Sequence, residues 1–322
     1  MSSFSRATFK SLNYNSFRPQ YQPSFYHLIS QYVCKNDTSK LPIDVAIDLG
    51  CGTGIASFPL LNFTNKVIGL DLSPKMIETA NSLIKERCDS MKIQDYNRIG
   101  FLTGSVEDFL YQQNGDRLIS ENSVDLISAA QCIHWFKDYK SFFQNCYTLL
   151  KPGGTLGYWY YIDPVILDFR GPSKDISKEE ATKTASEIYF KYVYDDPAFL
   201  GSHWEQPGRS VLKDHLKEVN KCIPYDLYDN VTIRNFAYDP KKSPQPTLED
   251  LDLSRYNIQL SDYVDYLRTY SSFSTFKAAT GDKEDIYGQL LKDFEHRLGW
   301  TNETKIDLVW NTGYTLLTKK YR

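Results

Sequence analysis

A glycine-rich turn, followed by an acid at the end of the next apolar run, is the part of this sequence that could bind a nucleoside. Gly50, Gly52 and Gly54 directly follow one apolar run, and Asp71 ends the next. Glycines between a strand and a helix let the backbone approach a ligand and leave amides free at the helix N-terminus. An acid about 20 residues further on can accept hydrogen bonds from both hydroxyls of a ribose. These residues predict a site for a ribose-containing cofactor.

The spacing of the glycines distinguishes two kinds of cofactor. A dinucleotide site has the pattern GxGxxG, whereas this chain has GxGxG, with Asp48 two residues before the first glycine. An acid at that point would repel a pyrophosphate and favour a cationic ligand. S-adenosylmethionine carries an ammonium and a sulfonium and has no pyrophosphate, so the pattern favours this cofactor. The alternative, that Asp48 only caps and the glycines only turn the chain, stays open.

Short apolar runs alternate with helical segments between residues 43 and 162, and this alternation is typical of a parallel sheet in an α/β fold. Ser73 and Pro74 predict the start of one helix, because the hydroxyl can cap free amides and proline fits the first turn. That helix is predicted to end near Arg87. The predicted strands are 45–49, 67–71, 99–102, 124–128 and 155–162.

After residue 163 the pattern changes to longer helical segments, which predicts an insertion over the sheet. Helices are predicted at 179–194, 261–270 and 283–297, and a loop at 239–246, which is rich in proline and charge. Residues 231–238 and 305–317 alternate like strands and could close the sheet as an antiparallel edge pair. The expected organisation is a single domain, 1–322, with an N-terminal helical or lid segment (1–40), a cofactor-binding core (41–162), a helical substrate cap (163–304, with a core strand near 231–238) and a C-terminal edge strand (305–322).

Composition excludes several classes of function. The formal net charge is −3 and no long basic run is present, which argues against a nucleic-acid partner. The six cysteines are scattered without a CxxC pair, so neither a metal site nor a disulfide framework is expected. No apolar leader or stretch of ~18 apolar residues is present, which predicts no membrane span. We expect a cytoplasmic protein that is a monomer or a weak homodimer.

Several segments resemble a known family. Residues 45–54, 67–73, 105–109 and 149–154 are similar to the successive motifs of class I S-adenosylmethionine-dependent methyltransferases. Narrower similarities, to the fungal trans-aconitate methyltransferase group that includes the cantharidin methyltransferase, lie in FRPQY (17–21), HWF (134–136), WEQPGRS (204–210) and WNT (310–312). The resemblance implies a Rossmann-like fold with a mostly parallel seven-stranded sheet, an antiparallel C-terminal edge strand and a helical insertion that forms a cap.

The resemblance also implies which residues hold S-adenosylmethionine and the product S-adenosylhomocysteine. Asp48 and the glycines would surround the methionine part, Asp71 would bind the ribose, and Ala130 with Gln131 would border the sulfonium. Family members often have Asp in the adenine segment where this chain has Ser105, which would shift that contact to the residues after it. The full predicted set is Asp48, Gly50, Cys51, Gly52, Thr53, Gly54, Asp71, Leu72, Met76, Ser105, Val106, Glu107, Ala130 and Gln131.

The predicted acceptor site follows from the chemistry of methyl transfer, in which the protein mainly aligns the reactants and excludes water. A carboxylate acceptor is ionised at neutral pH, so it needs no general base, but it does need cationic and hydrogen-bonding groups to orient it. Arg18 could instead be solvated, and Arg209 could be a structural tie. Tyr158 and Tyr160 share one strand face, so at least one is expected in the core. The predicted acceptor residues are Arg18, His134, Trp135, Tyr160, Trp204, Arg209 and Asn311, with Tyr158 as a further candidate.

The expected reaction is methylation of a small di- or tricarboxylic acid, similar to trans-aconitate, to give a monomethyl ester. The alternative acceptor is an apolar small molecule methylated on carbon or oxygen, as in the ubiquinone-type methyltransferases. Two other classes stay open, namely a binding protein that kept the fold without catalysis and a nicotinamide oxidoreductase.

Overall fold

The computed structural model describes residues 17–104, 119–237, 251, 253–281 and 285–321. The strands of this part of the chain are β1 (Ile43–Leu49), β2 (Thr64–Asp71), β3 (Ile99–Thr103), β4 (Val124–Ala130), β5 (Leu150–Arg170), β6 (Tyr228–Phe236), β7 (Ser254–Gln259) and β8 (Lys305–Lys319). The helices are α1 (Pro23–Val33), α2 (Ser57–Leu60), α3 (Pro74–Ser90), α4 (Tyr139–Leu149), α5 (Lys178–Phe190), α6 (Gly208–Lys213), α7 (Lys217–Lys221), α8 (Leu260–Leu267), α9 (Ser271–Thr280) and α10 (Ile286–Leu298).

All of these strands belong to one sheet, in the order β3-β2-β1-β4-β5-β8-β6, with β7 also paired to β8. Strands β1 to β5 pair in parallel, whereas β8 runs antiparallel to β5, β6 and β7. The predicted α/β, Rossmann-like methyltransferase fold is thereby confirmed. Two details differ: the sheet has eight strands instead of seven, and β8 is not an edge strand, because β6 covers one half of it and β7 the other.

The sheet lies between two helical layers, because side chains of successive strand residues point to opposite faces. In β1, Ala46 packs into a core with α1 and α3, while the next residue, Ile47, packs into a second core with α4, α6 and α7. Helices α5 and α8 to α10 of the insertion extend the first core. The sheet is thus covered on both faces, and functional side chains are left to the ends of its strands.

Element boundaries differ from the sequence prediction where tertiary pairing decides them. Helix α3 begins as predicted, with the Ser73 hydroxyl accepting from the Met76 amide at 3.3 Å, and it runs on to Ser90. Strand β5 is much longer than the predicted 155–162, because β8 pairs along almost its whole length. The predicted helix 261–270 corresponds to α8, which ends at Leu267, and neither α9 nor β7 was predicted. The predicted loop 239–246 and the last residue of the predicted strand 231–238 lie outside the described residues.

Lys319, at the end of β8, is buried and ties the sheet to the end of α4. Its ammonium donates hydrogen bonds to Asn122 Oδ1 at 2.7 Å and to the carbonyl oxygens of Tyr147 at 2.6 Å and Leu150 at 2.8 Å. The last carbonyls of a helix have no partner within the helix, and a cation is favourable at that end of the helix dipole. Lys319 therefore donates hydrogen bonds to carbonyl oxygens at the end of α4 that have no donor within the helix.

Replacing Lys319 by methionine is expected to lower the free energy of unfolding by about 3 kcal/mol, because it leaves buried oxygens without donors. The melting temperature should fall by roughly 4–5 °C in a thermal denaturation experiment. The control is Lys320→Met, whose ammonium makes one exposed hydrogen bond, to the Tyr225 carbonyl at 2.6 Å. An equal drop for both variants would contradict a specific role of Lys319.

Candidate active site

The glycine turn follows β1 at the carboxyl edge of the sheet, between the ends of β2 and β4. Gly50 and Gly52 have φ angles of +63° and +56°, which side chains disfavour. A Cβ atom on Gly50 would lie 2.6 Å from the Cβ of Cys132, whereas one on Gly52 would meet nothing within 4 Å. The turn therefore packs tightly on its Cys132 side and leaves open space beside Gly52, as a cofactor site requires.

Asp71 ends β2 and faces the glycine turn. Its carboxylate accepts the Gly52 amide at 2.9 Å and the Ser73 amide at 2.8 Å, one on each oxygen. Burial raises the pKa of the carboxyl above its usual value, against the lowering effect of these two hydrogen bonds. A carboxylate has about four lone-pair positions, so Asp71 retains capacity to accept hydrogen bonds from two hydroxyl groups.

Asp48 is fully buried, two residues before Gly50. Its two oxygens accept the hydroxyls of Ser57 at 2.6 Å and Ser128 at 2.7 Å. Burial raises the pKa of Asp48 to about 6, although both hydroxyl bonds lower it. Because both oxygens are occupied and enclosed, a cationic ligand in the turn would be affected by the electric field of Asp48 and would not contact it directly.

The other predicted cofactor residues have different placements. Cys51, Thr53 and Met76 are buried, whereas the Leu72 side chain is 57% exposed beside Asp71 and offers an apolar surface. Ala130 ends β4 next to the turn. Ser105, Val106 and Glu107 lie outside the described residues. An open glycine turn, an acid with spare acceptor capacity and an exposed apolar side chain fit a nucleoside cofactor.

A separate cavity lies beyond the end of β4 and beside the middle of β5. It encloses about 490 Å³, counting its opening to solvent. Two arginines, one histidine and several aromatic rings line it, and half of the lining comes from the insertion. The lining residues are Arg18, Gln131, His134, Trp135, Tyr161, Ile162, Trp204, Arg209, Leu212, Tyr266, Tyr270 and Ser271.

Gln131 lies between the glycine turn and this cavity. It has a φ angle of +56°, and its side chain continues the pairing of β4 with β5: the amide donates to the Tyr161 carbonyl at 2.9 Å, and its oxygen accepts the Tyr161 N–H at 2.8 Å. Just beyond, β5 contains a bulge between Tyr161 and Pro164. A bulge breaks the alternation of side chains. Tyr161 and Ile162 can therefore both line the cavity although they are consecutive.

Arg18 is buried in the cavity wall rather than solvated. It donates to the Tyr161 hydroxyl at 3.0 Å and to the Thr269 carbonyl at 2.9 Å. Its guanidinium also lies 5.7 Å from the ring centroids of both Tyr266 and Tyr270. The chain just before α1 thus joins the insertion through one cationic side chain.

Arg209, in α6, is the second buried arginine that lines the cavity. Its Nη2 lies 2.7 Å from Oδ1 of Asp163, and the guanidinium lies 4.1 Å from the centroid of a Trp204 ring. Its Nε atom has no hydrogen-bond partner among the described residues. Arg209 is both a structural tie and a lining residue, so the two interpretations of this residue do not exclude each other.

His134 is neutral at physiological pH. Burial, with Arg209 and Arg18 nearby, lowers the pKa of its imidazole to about 3. The Nδ1 atom is buried and has no partner within the described part of the chain, and the ring packs 4.7 Å from the Trp135 ring. At neutral pH His134 can donate or accept a hydrogen bond, but it is a weak base.

Comparison with known proteins agrees with this geometry. A family model described as a methyltransferase domain matches residues 47–157, which include the glycine turn, Asp71 and β4. The chain is an S-adenosylmethionine-dependent methyltransferase.

This methyltransferase is similar over its full length to a Saccharomyces cerevisiae protein named as the probable S-adenosylmethionine-dependent methyltransferase CRG1, with 26% identity over 99% of this chain and 98% of that protein. A Dictyostelium discoideum protein named as a methyltransferase is 24% identical over 96% of this chain and 93% of its own length. A solved structure of a type II methyltransferase from Anaeromyxobacter dehalogenans has a TM-score of 0.59, with 18% identity over 93% of this chain and 97% of that one, and shows the same fold.

Several predicted acceptor residues of the methyltransferase do not lie in the cavity. Tyr160 donates to Asn235 Oδ1 at 2.6 Å on the opposite face of the sheet, and Tyr158 donates to Asn220 Oδ1 at 2.7 Å on that same face. Tyr160, predicted as an acceptor contact, therefore does not line the cavity. Asn311 lies on β8 opposite the bulge and does not line the cavity either.

The structure adds residues that the sequence reasoning missed. Tyr161, Tyr266 and Tyr270 line the cavity, and Asp163 holds Arg209. Alternation along β5 could have indicated Tyr161, because it faces away from Tyr158 and Tyr160. The sequence around Tyr266 and Tyr270 showed only helical spacing. This spacing does not distinguish residues that line a cavity from residues that pack in the core.

The pH dependence of cofactor affinity should report on Asp48. A cation favours the ionised carboxylate, so binding of S-adenosylmethionine should strengthen as pH rises from 5 to about 6, the pKa of Asp48, and then level off. S-adenosylhomocysteine lacks the sulfonium charge, so its affinity should change less with pH. It shares the other groups of S-adenosylmethionine, so the difference between the two ligands reports on that charge. Calorimetry at pH 5 to 7 checks this difference, and Asp48→Asn should abolish it. Equal pH profiles for the two ligands would contradict the role of Asp48.

Two kinds of feature are absent from the described residues. No cluster of three or more His, Cys, Asp or Glu side chains there could hold a metal ion. None of the described helices combines the length and apolar character that crossing a bilayer takes.

Proposed function

We propose that this methyltransferase transfers a methyl group to a carboxylate of a small di- or tricarboxylic acid, as in the trans-aconitate group that its sequence resembles, and yields a monomethyl ester. The observation that carries this proposal is the pair of buried arginines, Arg18 and Arg209, in one cavity beside the glycine turn. Arginine binds carboxylates through two parallel hydrogen bonds. Buried cations in an otherwise aromatic cavity favour an anionic acceptor.

We assign the cofactor to the glycine turn. Gly50, Gly52 and Gly54 would lie against the methionine part, Asp71 would accept the ribose hydroxyls, and Leu72 would pack on the adenine. S-adenosylmethionine, when bound, supplies a methyl group on a positively charged sulfur, which keeps the electron pair of the broken C–S bond. Gln131 lines the cavity at the end of β4, so it would border the reacting atoms.

The protein groups in the cavity suit an acceptor that is already ionised. A phenol, with a pKa near that of tyrosine at about 10, would need a base to lose its proton, whereas a carboxylic acid with a pKa of about 4 does not. His134 has a pKa of about 3 and is therefore a poor base. Asp163 already accepts three hydrogen bonds. The cavity residues therefore orient the acceptor, and no proton transfer is required.

The test is a panel of acceptors incubated with purified protein and S-adenosylmethionine labelled in the methyl group, analysed by mass spectrometry. We expect a labelled monomethyl ester from at least one di- or tricarboxylic acid. Labelling of a phenol or quinone without any labelled acid would overturn the carboxylate proposal and leave the methyltransferase activity intact.

The second candidate acceptor is an apolar molecule, as in the ubiquinone-type methyltransferases. The aromatic rings of Trp135, Trp204 and Tyr270 favour it, because they would pack on an apolar ring. The Nε atom of Arg209 disfavours it, because an apolar acceptor would cover this buried donor without accepting a hydrogen bond from it.

A further inference from the structure

Asp163 is buried in the β5 bulge, next to the cavity, and receives three donors on a single oxygen. Tyr189 donates to Oδ1 at 2.6 Å, Tyr194 at 2.5 Å and Arg209 at 2.7 Å. Asp163 does not line the cavity, while Arg209 does. An acid that is fixed by two hydroxyl groups and bonded to one end of a guanidinium is suited to set the direction in which that guanidinium points.

The two tyrosines reach the same oxygen because the helix changes its pitch between them. Helix α5 ends at Phe190 and continues as a π-helix over Lys191–Asp195. Residues four apart share a face of an α-helix, whereas the wider π turn brings residues five apart together, as it does Tyr189 and Tyr194. Short π segments occur frequently at functional sites.

The π segment also fixes the aromatic surface beneath Arg209. The Trp204 indole N–H donates to the Val193 carbonyl at 2.8 Å, and the rings of Tyr194 and Trp204 stack at 5.8 Å. Arg209 lies 4.1 Å from Trp204 and 5.1 Å from Tyr194. The guanidinium is therefore held by one carboxylate at its Nη2 end and by two rings on its faces.

We propose that Asp163 is a positioning residue for the methyl acceptor: with Tyr189 and Tyr194 it holds Arg209 in the orientation that binds a carboxylate of the substrate. This inference rests on the proposed carboxylate acceptor. An arginine fixed in advance loses less conformational entropy on binding, so loss of the arrangement should weaken acceptor binding more than it slows transfer. Cofactor binding should not change, since the glycine turn is not involved.

The test compares Asp163→Asn with Asp168→Asn, the same change further along β5, where the aspartate pairs with the exposed Lys178. Asp163→Asn should raise the KM for the acid acceptor about tenfold or more and leave the KM for S-adenosylmethionine unchanged, whereas Asp168→Asn should change neither. Tyr194→Phe and Tyr189→Phe remove one donor each and should raise the acceptor KM by smaller factors. They keep the proposal testable if the Asp163→Asn chain does not fold.

A double-mutant cycle shows whether Asp163 acts through Arg209. In an Arg209→Lys background, Asp163→Asn should have little further effect on the acceptor KM. A full additional effect, or unchanged KM in Asp163→Asn with a lower melting temperature, would overturn the positioning role. A crystal structure of Asp163→Asn, in which Arg209 should leave its place over Trp204, tests the positioning without any acceptor. Wild-type protein that methylates no acid would instead refute the proposed function.

Discussion

Replacing Asp71 by asparagine is expected to weaken the binding of S-adenosylmethionine about 100-fold or more, since a charged acceptor of two hydroxyl bonds is worth roughly 3 kcal/mol or more. The amide keeps one acceptor oxygen and turns the other position into a donor, which cannot accept the Gly52 amide that now lies 2.9 Å away. The ribose is common to cofactor and product, so S-adenosylhomocysteine should lose a similar factor. Isothermal titration calorimetry with both ligands measures the loss.

Asp125→Asn is the matched control for this change. Asp125 Oδ2 also accepts two backbone amides, from Asp44 at 3.1 Å and Val45 at 2.9 Å, but it lies at the opposite edge of the sheet. Cofactor affinity should be unchanged in that variant. If Asp71→Asn kept its affinity within threefold of wild type, the assignment of the cofactor to this turn would be untenable.

Replacing Arg209 by methionine is expected to lower kcat/KM for the acid acceptor about 1000-fold, since two charge-assisted hydrogen bonds to a carboxylate in a buried cavity contribute roughly 4 kcal/mol. Methionine keeps most of the apolar volume of the side chain over Trp204, so the loss reports on the guanidinium. Affinity for S-adenosylmethionine should be unchanged, because Arg209 lines the acceptor cavity and not the glycine turn. Steady-state kinetics with a methylated acid, together with calorimetry for the cofactor, separates the two effects.

The methionine variant leaves Asp163 without its cation, so folding must be checked by its melting temperature. Arg209→Lys keeps a charge near Asp163 and should fold normally, yet lose most of the acceptor turnover because lysine lacks the planar fork. The control is Lys217→Met on the next helix, α7, whose exposed ammonium pairs with Asp214 at 2.6 Å outside the cavity. Normal turnover in Arg209→Lys would point to a charge effect and against bidentate binding.

The sequence predicted the parts of this molecule that depend on local patterns. Glycines that must adopt positive φ, an acid at the end of a strand and a proline in the first turn of α3 are all visible without a structure. The parallel pairing of strands β1 to β5 follows from the alternation of apolar runs and helices. These features account for the glycine turn, Asp71 and the α/β fold.

The acceptor cavity depends on features that local patterns do not record. Next to the β5 bulge the consecutive residues Tyr161 and Ile162 both line the cavity, while Tyr160, which was predicted there, does not. Arg18 reaches the cavity only because α1 packs on the first core. The π segment brings Tyr194 to Asp163. Its hydrogen bonds span five residues instead of the four of an α-helix, and it has no distinct sequence signal.

The division of the cavity wall between sheet and insertion has a consequence for how such enzymes diversify. The machinery that would activate the methyl group lies within β1 to β4, whereas Trp204, Arg209, Leu212, Tyr266, Tyr270 and Ser271 come from the segment between β5 and β8. Exchange of a few side chains in that segment would adapt the enzyme to a different acceptor while the transfer apparatus is inherited unaltered.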